Sequence, residues 1–120
     1  MRLQIVRVAD RGVPNQERVH LSVVQEATLS FYVVLLSRYI KPDAVSNSSM
    51  SAFWFPAATV KPGDQIVLFT GSGQANTRVE QNGSTTHFYY WGFKNTLFND
   101  ASSCIVLLEG STWLASPRGT

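Results

Sequence analysis

The sequence predicts an all-β fold: an antiparallel β-sandwich of about eight short strands, forming one domain over residues 1–120. Three observations carry this prediction. Apolar residues recur with the period of two that sends alternate side chains to opposite faces of a strand. Turn-forming residues separate the apolar runs at short intervals, and no window has the 3.6-residue period of an amphipathic helix.

The elements follow in chain order. Leu3 to Val8 alternates loosely, whereas Val19, Leu21 and Val23 alternate cleanly with Arg18, His20 and Ser22, as in a half-buried strand. Ala27 to Ile40 has β-branched and aromatic residues on both faces, as expected of a strand buried on two sides or of a bent pair. Pro42 to Ser51 is a polar, serine-rich loop, and Ala52 to Phe55 is the next strand. In Lys61-Pro62-Gly63-Asp64, proline fixes φ at the first central position and glycine accepts a positive φ at the second, so a type II reversal is expected. Gln65 to Thr70 is a strand, Gly71-Ser72-Gly73 to Gly83-Ser84 a polar connection, and Thr86 to Trp91, Cys104 to Glu109 and Thr112 to Leu114 complete the set.

Composition bounds the function. With 44% hydrophobic and 15% charged residues, the chain can offset its conformational entropy by burial and should be ordered and soluble. The net charge is +2, and the ten basic residues never form a run. That argues against a nucleic-acid partner, whose affinity grows with the number of phosphates neutralised together. A lone Cys104 excludes an internal disulfide and suits a reducing compartment. The start, Met1 to Gly12, lacks the apolar stretch of a signal peptide, and the longest apolar run, Phe31 to Leu36, is far short of the roughly 20 residues that cross a bilayer. A cytoplasmic protein without a membrane partner is expected.

Phe55-Pro56-Ala57-Ala58-Thr59-Val60-Lys61-Pro62-Gly63-Asp64, then Ile66-Val67-Leu68-Phe69-Thr70-Gly71-Ser72-Gly73, then Tyr90-Trp91-Gly92, then Phe98-Asn99-Asp100 ahead of Ile105-Val106-Leu107, resembles the lamin-tail domain family in order and spacing. Glu17 to Leu21 resembles that family's second strand. Thr28 to Tyr32 resembles the strand that usually carries leucine-serine-glycine-tryptophan, with Phe31 and Tyr32 in place of the last two. Ala58 stands where glycine is usual, and Ser102-Ser103 where glycine-aspartate is usual. The resemblance implies a divergent, immunoglobulin-like sandwich used for binding or assembly. It marks Phe55, Pro56, Pro62, Gly63, Thr70, Gly71, Tyr90, Trp91, Gly92 and Asn99 as motif positions with structural roles.

The chemical inventory is thin. His20 and His87 are the only histidines, and Cys104 is the one soft ligand that could join them at a transition metal, so no metal or cofactor is expected. A serine with His87 and Asp100 could form a hydrolytic set, but no strand-turn-helix elbow presents it. Gly71-Ser72-Gly73 lacks the lysine and helix of a phosphate cradle and reads as a hairpin loop. Asn47-Ser48-Ser49 and Asn82-Gly83-Ser84 match the glycosylation pattern and read as loop composition. Phe53, Trp54, Phe55, Tyr89, Tyr90 and Trp91 could stack a ligand but read chiefly as packing, with Trp91 in the core; Cys104 reads as a small buried hydrophobe. The expected function is therefore a non-catalytic module that binds an unidentified protein partner or assembles. Self-assembly through an edge strand or aromatic patch, as a homo-oligomer, is the alternative; nucleic-acid binding and hydrolysis stand behind both.

Overall fold

A computed structural model describes residues 1–48 and 51–119. It contains eleven strands: β1 Leu3–Ala9, β2 Arg18–Val23, β3 Ala27–Thr28, β4 Tyr32–Lys41, β5 Ala44–Val45, β6 Ser51–Trp54, β7 Thr59–Val60, β8 Gln65–Phe69, β9 Asn76–Val79, β10 Thr85–Tyr90 and β11 Ser103–Glu109. They form a five-stranded sheet in the order β1-β2-β8-β10-β9, a four-stranded sheet in which β4 is flanked by β11 on one side and by β5 and β6 on the other, and the short pair β3-β7. Among the described residues no helix is long and apolar enough to cross a membrane.

Alternation builds the core. Leu3, Val19, Leu21, Val23, Ile66, Leu68 and Tyr89 from the five-stranded sheet join Tyr32, Val34, Leu36, Ile105 and Leu107 from the four-stranded one in a single buried cluster with Leu29, Phe55, Val60 and Phe98. Each of these large side chains contributes roughly 1.5–3 kcal/mol by leaving water.

The all-β sandwich matches the sequence, and the departures have local causes. The long stretch Ala27 to Ile40 is broken by a 3-10 turn at Leu29–Phe31, because β3 pairs with β7 while β4 must reach β11. Asn76–Val79, within the segment expected to be a connection, is a strand whose four residues are all exposed. After β8 the chain runs back as β9 one position further out and returns as β10 in the gap. The pair β8-β10 is consequently parallel, while β10-β9 and the other pairs are antiparallel. Thr112–Leu114 is not a strand: Gly110 N–H to Phe31 O ends the ladder with β4, and the chain beyond is irregular and exposed. The serine-rich loop contains β5; its Ser49, the third residue of the triplet at Asn47, and Met50 lie outside the described residues.

Two turns show the local chemistry. Gly63 has φ +90° and Asp64 N–H bonds to Lys61 O at 3.0 Å, the reversal expected of Pro62-Gly63. A Cβ on Gly73 would enter the Tyr90 ring, so only glycine allows the chain leaving β8 to pass over that ring.

Glu17 ties one end of the sandwich together. It is buried, and its Oε1 accepts from Thr70 Oγ1 at 2.8 Å and Leu97 N at 2.7 Å, while Oε2 accepts from Gly12 N at 2.8 Å and Phe98 N at 3.0 Å. Burial alone would raise its pKa; the amides of Leu97 and Gly12, the Thr70 hydroxyl and the Phe98 amide outweigh it and hold the carboxyl below the ordinary glutamate value. The folded pKa is the lower one. Glu17 therefore stabilises the fold above the ordinary glutamate pKa, and that contribution fades as pH falls through the folded value. Glu17→Gln places an NH2 group against at least one N–H donor in either amide orientation; urea unfolding at neutral pH should show a loss of about 2–4 kcal/mol, with a shallower fall in stability through the acid range than in the natural chain. An unchanged midpoint would contradict this role.

Candidate functional site

A sandwich has two outward faces, and here they differ in chemistry. On the five-stranded sheet the outward positions include Arg18, His20, Ser22, Gln65 and Thr86 among the rings of Phe69, Phe88 and Tyr90. Polar bonds organise this face. Arg18 Nε donates to His20 Nε2 at 3.0 Å, and burial, with the charges of Arg7 and Arg18, lowers the His20 pKa, consistent with a neutral acceptor ring. Phe69 and Tyr90 stack with centroids 5.2 Å apart, and the Arg78 guanidinium lies 5.1 Å over the Phe88 ring.

On the four-stranded sheet, by contrast, a block of outward positions on three neighbouring strands is apolar. Val33 and Leu35 of β4 sit beside Trp54 and Ala52 of β6 and beside Leu108 and Val106 of β11, in register. Inward-facing Tyr32, Val34, Leu36, Ile105 and Leu107 already complete the core, so the outer residues are surplus to it. Trp54, Trp113 and Leu108 are each about half exposed, at 53%, 52% and 49%. The two indoles meet edge to face at 5.2 Å, and Trp54 Nε1–H donates to Ser30 O at 2.7 Å, which fixes the ring beside a cleft of about 290 Å³ with Pro56 in its wall. No side chain in this patch carries charge. An outward sheet face is normally the solvated one, and a contiguous apolar face marks contact with another surface.

Of the sequence-marked residues only Phe55 and Pro56 border the Trp54 cleft; the others lie at turns and strand ends, and of the ten only Phe55 and Thr70 are buried. Phe55 is core, Pro62 and Gly63 make the β7–β8 turn, and Thr70 is buried on Glu17. Gly71 O accepts from Gly92 N at 2.9 Å, with Gly92 at φ +94°, and Asn99 Nδ2 donates to Thr96 O at 2.7 Å. Phe53, Phe55, Tyr89 and Trp91 form one cluster of edge-to-face and tilted rings; Trp91 is half-buried against the core. Of the six aromatics only Tyr90 and Trp54 turn outward, one to each face. Cys104 is buried, and burial pushes its thiol pKa up, although Arg11 opposes this.

Asp100, the carboxylate sequence reasoning paired with His87, instead caps its own turn by accepting from Ser102 N and Oγ, both at 2.9 Å. The partner of His87 is Asp64: Nε2 lies 3.1 Å from Oδ2, which also accepts from Lys61 N at 3.1 Å, while Oδ1 accepts from Thr85 N at 3.0 Å. Burial raises the Asp64 pKa, but the Thr85 and Lys61 amides and then His87 outweigh it and leave it below the ordinary aspartate value. The nearby Ser84 hydroxyl donates to Asn82 Oδ1 at 2.6 Å and has no bond to His87. The pair braces the turn at Lys61–Asp64 against β10. A register shared by β8 and β10 is what brings Asp64 and His87 together, and no spacing in the sequence signals it.

Comparison of the chain with protein-family models and with curated proteins gives no match.

Asp64→Ala frees the Lys61 and Thr85 amides and the His87 ring together. Urea unfolding should register a loss of about 2–4 kcal/mol, and a double-mutant cycle with His87→Ala should return a coupling of about 1 kcal/mol. Strict additivity would show that the two side chains act separately.

Proposed function

We propose that this chain is a non-catalytic protein-binding or assembly module, an immunoglobulin-like sandwich of the lamin-tail kind, that meets its partner through the outer face of the four-stranded sheet. The family reading is supported by the positions of the marked residues at turns, strand ends and core, where a structural motif should lie. The functional reading rests on one observation: Val33, Leu35, Ala52, Trp54, Val106 and Leu108 form an uncharged face across three strands. Trp-bearing apolar patches with a polar surround are the usual anchors of protein contacts.

Charge favours a protein over a nucleic acid. On the opposite face Arg18 is paired with Asp10 at 2.7 Å and Arg78 with Glu80 at 2.6 Å, so, beside the exposed Arg7, phosphates would meet arginines already matched by carboxylates. A reduced, lone Cys104 accords with a cytoplasmic setting.

A benzophenone side chain placed at Leu108 should, on irradiation in the native extract, form an adduct with another polypeptide, a second copy included. The same probe at Ser22 on the other sheet's outer face should not. Absence of adduct at Leu108, or equal labelling at Ser22, would overturn this reading.

A further inference from the structure

We propose that two copies of this chain pair through β11, antiparallel about a two-fold axis at Val106. The inference rests on the assembly reading above and adds an occupant and a register.

Strand edges invite pairing unless something blunts them. β1 is blunted by a bulge between Ile5 and Arg7, β6 and β9 have only four residues each, and β5 has two with an irregular register. β11 has none of these protections, and the Arg11 guanidinium covers its edge only at the Ser103 carbonyl. Its seven residues run along β4 without a register shift, and it has no proline and no charge before Glu109.

The ladder fixes which backbone groups are outward. Tyr39 N–H bonds Ser102 O and Gly110 N–H bonds Phe31 O, each at 2.8 Å. By the alternation of an antiparallel pair, positions 104, 106 and 108 turn their amides and carbonyls to β4, and positions 103, 105, 107 and 109 turn theirs away. β11 ends its sheet, so Ile105 and Leu107 present N–H and C=O groups along that edge.

Charge selects the second copy and the register. Arg11 donates through Nη1 and Nη2 to Ser103 O at 3.1 and 3.0 Å, and among the described residues it has no carboxylate in ion-pair range. Centring the axis on Val106 sets Ile105 opposite the partner copy's Leu107 and Ser103 opposite its Glu109. That places a carboxylate beside Arg11 at both ends. Sliding the copies by two residues carries Glu109 past Ser103 or back against Ile105. The pairing consumes both edges, so assembly closes at two, and it joins the apolar faces of the copies into one surface.

The Val106 pair is of the non-hydrogen-bonded kind, with Cα atoms about 4.5 Å apart, within disulfide reach. In a Cys104→Ser background, Val106→Cys should oxidise rapidly to a covalent dimer, and Leu35→Cys, on the same face one strand away, should not. Light scattering of the natural chain should give twice 13.3 kDa at high concentration. A monomer across about a hundredfold range of concentration, a larger ladder, or equal cross-linking at both positions would overturn the pairing. If the Leu108 probe still captures a different protein from a monomeric chain, self-pairing falls and the binding reading stands; if both fail, both fall.

Discussion

The carboxylate of Glu17 is the interaction on which one end of this molecule depends. It draws amides from Gly12, Leu97 and Phe98 and a hydroxyl from Thr70 onto two oxygens, so three separate stretches of chain are held by one buried charge. Among the described residues no cation balances it; oriented N–H and O–H dipoles do. The consequence reaches β11. Gly12 and Phe98, both bonded to Glu17, flank Arg11, whose guanidinium lies 5.1 Å over the Phe98 ring and reaches Ser103 O at the start of the strand. A buried anion thus sets the place of an exposed cation.

From that end, the two sheets diverge in purpose. The five-stranded sheet covers its outer face with hydrogen-bonded polar groups and with rings that stack on each other or under arginine, and its first edge strand is bulged. The four-stranded sheet shows aliphatic residues and a tryptophan outside and ends in an unprotected strand. At the far end of β11, Glu109 accepts the Tyr32 hydroxyl and the Arg2 amide, which hold its carboxyl below the ordinary value. The Tyr32 hydroxyl is correspondingly pushed up, by burial first and then by Glu109. β11 is therefore bracketed by Arg11 and Glu109, each fixed from within its own chain.

Much of the fold was legible because alternation and turn chemistry are local. β2, β8, β10 and β11 follow from their apolar period, and the Pro62-Gly63 reversal from the φ preferences of two residues. β9 escaped notice because Asn76, Thr77 and Arg78 have no apolar face to reveal a strand; it exists as an edge added to β10. The parallel β8-β10 pair follows from that hidden strand. The candidate site was only half visible. Trp54 was noticed as an aromatic, but its outward direction depends on register with Val33 across β4, and the long-range bonds of Glu17 and Asp64 join positions 53 to 81 and 21 to 23 residues apart. Composition holds no trace of such pairings.

The edge of β11 is the central claim, and backbone amide exchange reads it without any substitution. Exchange of the Ile105 and Leu107 amides should slow as the concentration of the natural chain rises, while those of β9 on the other sheet's edge keep a constant rate. Exchange at Ile105 and Leu107 that stays independent of concentration would contradict the account.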